Sequence, residues 1–443
     1  MNFKKLIEEA KLAGIDPVEV YSQMSEQESI KVFRNNVDGL TIAQSGGIAV
    51  RGIYQGKMGY CFMEEDSDEN IPLIIQLIKE NAGSLEIEDT SKIFEGSSSY
   101  PEIHSDENQL ASTPMNTKIN LLKEVEQKLA AADPRIVQVM ATVMQTVNVN
   151  TAIQNSLGLD VSKKESYTFF YSMALAHENG DNKSGMDFKV LRSMDDVNVD
   201  EFVNKVKNEV VGKLGAKQVK TGKYKVILKN SAMSDLLGAL TGLFNGEQVY
   251  KGISKLANKM DTQIFDEKIT IVDDPLKKNG LNSTPFDDEG VASSTKQIVD
   301  HGVLKMFLHN QKSAAQMNTV STGNGFKAGY AGQVGISPTN FYIVPSDVSY
   351  DELLKKMGTG LVIDELNGLH AGLNSITTDF SLQAAGYLVE DGKIVRPVNL
   401  ITVAGNFLDM MKEVEAVGSD LEDALSSASA PSILFNSLSI SGE

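Results

Sequence analysis

Residues 360–409 read GLVIDELNGLHAGLNSITTDFSLQAAGYLVEDGKIVRPVNLITVAGNFLD, an order of extended segment, polar loop, extended segment, tight turn, extended segment and helix start. Leu361, Val362 and Ile363 form a short apolar run bounded by Gly360 and Asp364, which suits a buried strand. Residues 387–390 meet Ile394 and Val395 across Asp391-Gly392, a pair that supplies the positive φ angles of a two-residue hairpin. After Val403 the spacing turns helical. Asn406 is the cap, Phe407, Met410, Met411, Val414 and Val417 share one side, and Gly418 is the stop. The loop at 367–381 gathers His370, Asn374, Asp379 and Ser381 among glycines, so it holds most of the polar groups a site could use.

The chain upstream alternates helices with clusters of strands. Phe3, Leu6, Ile7 and Ala10 mark a short amphipathic helix stopped by Gly14 and Pro17. From 18 to 62, Gly46-Gly47 and Gln55-Gly56-Lys57 punctuate the short runs IAVRGIY and MGYCF, an antiparallel meander, and a helix follows at 71–78. Residues 81–112 are polar and read as a boundary loop. Ile119, Leu122, Val125 and Leu129 then mark a helix ended by Asp133-Pro134.

A long strand follows, with Val137, Val139, Ala141, Val143, Val147 and Val149 on one face and Gln138, Thr142, Thr146 and Asn148 on the other. A turn at 155–158 returns the chain along 166–177. Phe202, Val206, Val210 and Leu214 form a helical stripe closed by Gly215, and lysine-rich 217–223 leads into a strand at 224–228 and helical sequence over 231–260. Strands clustered in runs predict an α+β fold, a strand-rich multidomain chain with antiparallel and mixed sheets and flanking helices. The expected divisions are an N-terminal meander domain at 1–90, a central helix-hairpin-helix domain at 112–216 and a C-terminal strand-rich domain at 221–443.

The 443 residues carry 41 Lys plus Arg against 59 Asp plus Glu, a formal charge of −18. That balance repels phosphate backbones and argues against a nucleic-acid partner. No apolar run approaches the roughly 18 residues of a membrane span, and the N-terminus lacks the continuous apolar segment of a signal peptide. The expectation is a cytoplasmic protein with no membrane partner. Cys61 is the only cysteine, which excludes an intrachain disulfide and a cysteine-based zinc finger. It sits between Tyr60 and Phe62 in an expected strand, as a buried thiol.

Five histidines test for a metal centre. A zinc peptidase helix places two imidazoles one turn apart beside a glutamate that activates water, and no such pair exists here. His301 and His309 are about 26 Å apart at strand rise, and His301 belongs to an Asp300-His301-Gly302 turn. His370 with Asp379 as orienter and Ser375 or Ser381 as nucleophile makes a candidate triad, against the plainer role of a histidine bonding loop backbone. Asp287, Asp288 and Glu289 before Gly290 read as a solvated acidic turn, with a hard cation as the alternative. Ser321, Thr322, Gly323, Asn324 and Gly325 lack the strand and the Gly-Lys-Ser/Thr of a phosphate cradle and read as a substrate-contacting loop.

Several segments together resemble the TldD/PmbA family, most closely its PmbA (TldE)-like branch: STPFDDEGVAS at 283–293, STGNG at 321–325, PTNFYIVP at 338–345, GLHAGLNSITTDF at 368–380, residues 386–397, and ITVAGNFLD at 401–409. The resemblance implies that a TldD-type subunit is the zinc peptidase and pairs with a TldE-type subunit to degrade or trim unfolded peptides. An older label for the family is modulator of DNA gyrase. Its catalytic branch carries HExxxH before a Phe-Asn pair, with a cysteine near the C-terminus as a further ligand. Registering on Phe244-Asn245 puts Met233, Ser234 and Gly238 at those three positions, and residues 421–443 contain no cysteine.

The resemblance therefore implies a non-catalytic subunit without cofactor, with zinc in a TldD-like catalytic partner. It would form a heterodimer with that partner, or a homodimer in isolation, and hold an extended peptide substrate. On that reading Asp287, Asp288, Glu289, Ser321, Thr322, Asn324, His370 and Asn374 face substrate or partner. Two alternatives stand beside it: a self-sufficient hydrolase using His370, Asp379 and a serine, and an acidic regulator imitating DNA charge.

Overall fold

The computed structural model describes residues 1–84, 92–423 and 428–443. The part of the expected 81–112 boundary loop at 85–91 lies outside the described residues. The first half of the chain runs α1 (Phe3–Leu12), β1 (Ile15–Phe33), β2 (Asn36–Tyr54), β3 (Lys57–Met63), α2 (Ile71–Ser84), α3 (Met115–Ala131), β4 (Ile136–Asn155), β5 (Asp160–Glu178), β6 (Asp181–Leu191) and α4 (Val199–Val211). Its six strands form one antiparallel sheet in the order β3-β2-β1-β4-β5-β6. The seam between segments 1–90 and 112–216 is thus a strand pair, β1 with β4, running from Glu19↔Asn155 to Val32↔Thr142.

The β1–β2 hairpin is far longer than the short runs expected, because its turn falls at Arg34-Asn35, where no glycine marks it. Both residues have positive φ (52° and 58°). The buried Glu126 carboxylate of α3 accepts both of their backbone N–H groups, at 2.6 and 2.5 Å, which offsets the strain. The Asn179-Gly180 turn likewise launches β6, a strand the periodicity did not suggest.

The helices cover one face of this sheet. Leu6 and Ala10 of α1 and Ile74 and Ile78 of α2 pack with Val18, Val20, Ile48 and Val50. Leu122, Val125 and Leu129 of α3 and the full stripe Phe202, Val206, Val210 and Leu214 pack with Ile30, Val32, Met144 and Phe170. On β4 the face assignment is corrected. Register shifts between Ile136/Gln138 and Val139/Ala141 change its phase, so Val137 is 56% exposed while Thr142 and Thr146 are buried. Their hydroxyls bond Ser172 at 2.9 Å and Thr168 at 3.0 Å, so the burial leaves no orphaned polar group.

The remaining elements are β7 (Gly222–Leu228), α5 (Asn230–Ala239), α6 (Gly246–Tyr250), β8 (Ile271–Asp273), β9 (Lys296–Asp300), β10 (Val303–Leu304), α7 (Gln311–Gln316), β11 (Gly325–Lys327), β12 (Val334–Ile336), β13 (Phe341–Ile343), α8 (Tyr350–Met357), β14 (Gly360–Asn367), α9 (Leu369–Gly372), β15 (Asp379–Glu390), β16 (Lys393–Asn406), α10 (Phe407–Met410), β17 (Val414–Val417) and β18 (Ile433–Ser441). The main sheet here has the order β16-β15-β14-β7-β18-β17, and a further β16–β18 pairing curls it toward closure. Only β14–β7 is parallel within it.

The Asp391-Gly392 hairpin forms as read, with φ of 50° and 73°. Gly386 is required for close approach, since a Cβ there would lie 1.9 Å from the Val362 carbonyl oxygen. The helix expected beyond Asn406 is corrected: α10 is four residues long, and Val414 and Val417 belong to β17, paired with β18. An apolar pattern at 414, 416 and 417 suits either period, and pairing with β18 decides it. The architecture is a strand-rich, multidomain α+β fold.

Candidate functional site

The polar loop after β14 folds as a unit around Asn374 and Asn406. The Asn374 side-chain oxygen accepts from Ile376 N–H at 2.9 Å and Thr377 N–H at 3.0 Å. The Asn406 amide donates to Thr377 O at 2.9 Å and Asp379 Oδ1 at 2.8 Å, while its oxygen accepts from Thr378 Oγ1 at 3.1 Å and caps α10 through Asp409 N–H. Thr378 is fully buried with a φ of 63° and stays there because these bonds hold the turn. The Asn406 amide, and then the Thr377 hydroxyl, hold the Asp379 carboxyl below its ordinary range. It is an exposed anion anchored to the loop.

The candidate triad does not assemble. His370, Asp379 and Ser381 are all exposed, and among the described residues no hydrogen bond or ion pair joins His370 to either of the others. Asn374, assigned to substrate contact, is exposed but spends its oxygen on the loop's own backbone.

Two adjoining hollows lie beside this loop and share Ser375. One, about 310 Å³, sits at the C-terminal end of α5 against Thr241, Asn245, Gln248, Leu308, Ile336 and Pro338. The other, about 500 Å³, is lined by residues between Ala371 and Ser381. Asp379 is the single charged side chain in either lining, and His370 stands outside both. The groove thus offers neutral amides and hydroxyls beside apolar walls. Such a surface suits hydrogen bonding to a neutral peptide backbone.

Zinc does not fit the neighbouring helix. On α5, Met233 and Ser234 are buried, and Ser234 Oγ accepts from Ala430 N–H at 2.8 Å. Gly238 has no side chain. A thioether engaged in the core and an absent side chain do not replace two imidazole donors, and the engaged hydroxyl does not replace a water-activating carboxylate. Among the described residues no three His, Cys, Asp or Glu side chains group in a way that could hold a metal ion.

The acidic run at 287–289 is corrected from a solvated turn to a buried joint. Asp287, Asp288 and Glu289 are 0%, 4% and 3% exposed. Asp287 accepts from Glu289, Val291 and Gly325 N–H at 2.8 to 3.0 Å, and Asp288 accepts from Lys327 N–H at 2.9 Å. Glu289 accepts from Gln311 N–H at 2.7 Å and faces Arg51, which is bound to Glu19 at 2.7 Å. Lys163 of β5 reaches Asp288 at 3.7 Å. Burial, with Glu289 beside it, drives the Asp287 carboxyl well above the usual carboxylate range. Burial, and then Arg51, pushes Lys327 down to about 8, and its ammonium lies 4.1 Å from the Tyr21 ring centroid. These groups lock the C-terminal segment onto the sheet face opposite the helices, where Tyr21, Ile153, Leu159 and Phe286 pack together. All three acidic side chains are buried at this joint.

The glycine-rich loop at 321–325 is anchored from beneath, with Ser321 and Thr322 half-buried and Ser321 lining a hollow of about 340 Å³. Asn324 is fully buried and donates to Asp273 Oδ2 at 2.8 Å and Ser337 O at 3.0 Å. Thr322 and Ser321 hydroxyls bond the His309 carbonyl. Beneath them lies a buried Lys296–Asp273 ion pair at 3.2 Å. His309 bonds Ser313 at 3.1 Å, and burial lowers its pKa to about 4. His301 occupies its expected turn, with φ 45°. Asn406, Thr378 and Asn245 were missed as site-building groups. The signal available was Asn406 as a cap, and its second role depends on a loop 28 residues away.

The chain matches the profile described as the PmbA/TldA metallopeptidase C-terminal domain over 221–442, the central domain over 108–214 and domain 1 over 18–82. It is 32% identical to Metalloprotease PmbA of Escherichia coli O157:H7, covering 73% of this chain and 70% of that one. A Metalloprotease PmbA homolog of Buchnera aphidicola subsp. Acyrthosiphon pisum is 27% identical, covering 96% of this chain and 93% of the relative. Among solved structures, a candidate modulator of a DNA gyrase from Thermotoga maritima superposes with TM-score 0.91 at 32% identity over 99% of both chains. TldE from Thermococcus kodakarensis shares the fold, with TM-score 0.90 at 22% identity over 99% of this chain and 100% of that one. The chain belongs to the PmbA/TldD metallopeptidase family.

Proposed function

We propose that this protein is a non-catalytic, TldE-like subunit of a zinc metallopeptidase, working in the cytoplasm with a TldD-like catalytic chain to degrade or trim unfolded peptides. Its part is to enclose and position an extended peptide. The observation that carries the reading is α5, where Met233 and Gly238 stand at the positions of the resembled motif's two histidines and Ser234 at its glutamate, with Met233 and Ser234 packed into the core. The groove between α5 and the loop at 371–381, lined by amides, hydroxyls and apolar groups with Asp379 as its one charge, supports it, because backbone amides pair with such groups whatever the peptide sequence.

Cleavage of unfolded casein by the purified chain, alone and mixed with the HExxxH-bearing chain of its host, tests the reading. Chelator-sensitive cleavage is expected only in the mixture. Zinc-dependent cleavage by the chain alone overturns it.

A further inference from the structure

The outer edge of β5 is open over residues 161–167, because β6 pairs with β5 only from Thr168↔Leu191 to Glu178↔Asp181. Leu159 O accepts from Asn155 N–H and His177 N–H donates to Arg135 O, both on the β4 side. Alternate residues of an antiparallel strand point both backbone groups the same way. The odd-numbered residues of β5 therefore bond toward β4, and Ser162, Lys164 and Ser166 point outward. Arg192 Nη1 donates to Ser166 O at 3.4 Å from that outer side. Among the described residues no hydrogen bond fills the outward N–H groups of these three.

A hollow of about 770 Å³ lies against this edge and is lined by every residue from Val161 to Tyr167. Side chains of a strand alternate between its faces, so only a space along the edge meets all of them. The other walls come from residues between Tyr100 and Asn108 and between Gly280 and Phe286. The first of these is a strap tied at both ends. The Tyr100 hydroxyl donates to Gly290 O at 2.8 Å, and Asp106 accepts from the Asn279 amide at 2.7 Å. Ile103, Leu281, Pro285 and Phe286 supply apolar surface between the ties.

We propose that this hollow holds an extended peptide segment as an added strand on β5, bonded to the outward backbone groups of Ser162, Lys164 and Ser166, with apolar side chains against Ile103, Leu281 and Phe286. A hollow of this size takes a short peptide and excludes a folded sheet. Lys163, Lys164 and Glu165 blunt the edge against pairing with another molecule's sheet. The proposal rests on the reading of the chain as a peptide-holding subunit and adds a second contact, whose lining shares no residue with the groove beside α5.

Binding of a fluorescein-labelled, end-capped peptide of alternating serine and valine, about seven residues long to match 161–167 at strand rise, tests this on the purified chain. Fluorescence anisotropy reads affinity and amide exchange reads location. Saturable binding is expected, with the amides of Ser162, Lys164 and Ser166 slowed at least about tenfold by peptide. Lys164→Pro removes one outward N–H without touching the ladder to β4, and is expected to weaken binding at least about tenfold. Lys164→Ala keeps that N–H and is expected to bind within about twofold of wild type. If Lys164→Pro does not fold, exchange on the wild type decides. The proposal is overturned by absence of saturable binding, by binding that leaves exchange at 162–166 unchanged, or by equal affinity of folded Lys164→Pro and wild type. Protection confined to 371–381 also overturns it and leaves the groove of the proposed function standing. Protection at 162–166 without cleavage by the mixed chains removes that function and keeps this site.

Discussion

Asp287 shows how far a residue's neighbours decide its meaning. Three acidic residues before a glycine have the composition of a solvated turn. The donors that bury them, Gly325, Lys327, Gln311 and Arg51, come from distant parts of the chain, so no local pattern announces the joint. Replacing Asp287 by Ala strands three buried N–H groups and is expected to cost about 3 kcal/mol or more in urea unfolding. His309 is the acid-sensitive counterpart. Its folded pKa of about 4 lies below the ordinary 6.5, so the unfolded chain binds more protons between those values. Its contribution is present above pH 6.5 and is lost as pH falls toward 4. On the order of 2 kcal/mol should disappear across that window, and a His309→Gln variant should show a flatter stability profile than wild type there.

At the scale of elements, a glycine-bearing turn made a hairpin legible only where apolar runs flanked it, which is why Asn179-Gly180 and the β6 it launches went unread, and turns closed by tertiary contacts were not legible. Asp391-Gly392 named its hairpin, whereas Arg34-Asn35 turns because Glu126 of α3 accepts its amides. The helical stripe at Phe202, Val206 and Val210 was legible because a single buried face leaves one period, whereas Leu214 joins the same core from the turn beyond the helix end at Val211. The pattern from Phe407 to Val417 fits two periods, and only pairing with β18 assigns its second half to a strand. Of the candidate site, the loop's position between strands was legible and its internal bonding was not. Asn406 holds that loop, so Asn406→Ala is expected to lose about 1 to 2 kcal/mol and to speed proteolysis near exposed Ile376. Limited trypsin-free digestion, with chymotrypsin or thermolysin, reads the second effect.

The whole molecule is two large sheets joined through a buried charged seam. Arg51 of the first sheet neutralises Glu19 and lies 4.0 Å from Glu289 of the C-terminal segment. Removing it as Arg51→Ala leaves two buried carboxylates and is expected to cost about 3 to 5 kcal/mol, with calorimetry resolving two unfolding transitions in place of one. No helix of the described residues is long and apolar enough to cross a membrane. On the proposed reading the joined sheets hold the C-terminal groove in place as a wall for peptide and the metal lies in a partner chain, since Met233 and Ser234 of α5 beside it are packed into the core. The measurement that tests this division of labour most directly is zinc analysis of the dialysed chain, alone and after assembly with the HExxxH-bearing chain of its host. The account predicts less than about a tenth of an equivalent alone and about one per assembled pair, as expected where a core methionine and a glycine replace imidazoles. Stoichiometric zinc on the isolated chain would contradict it.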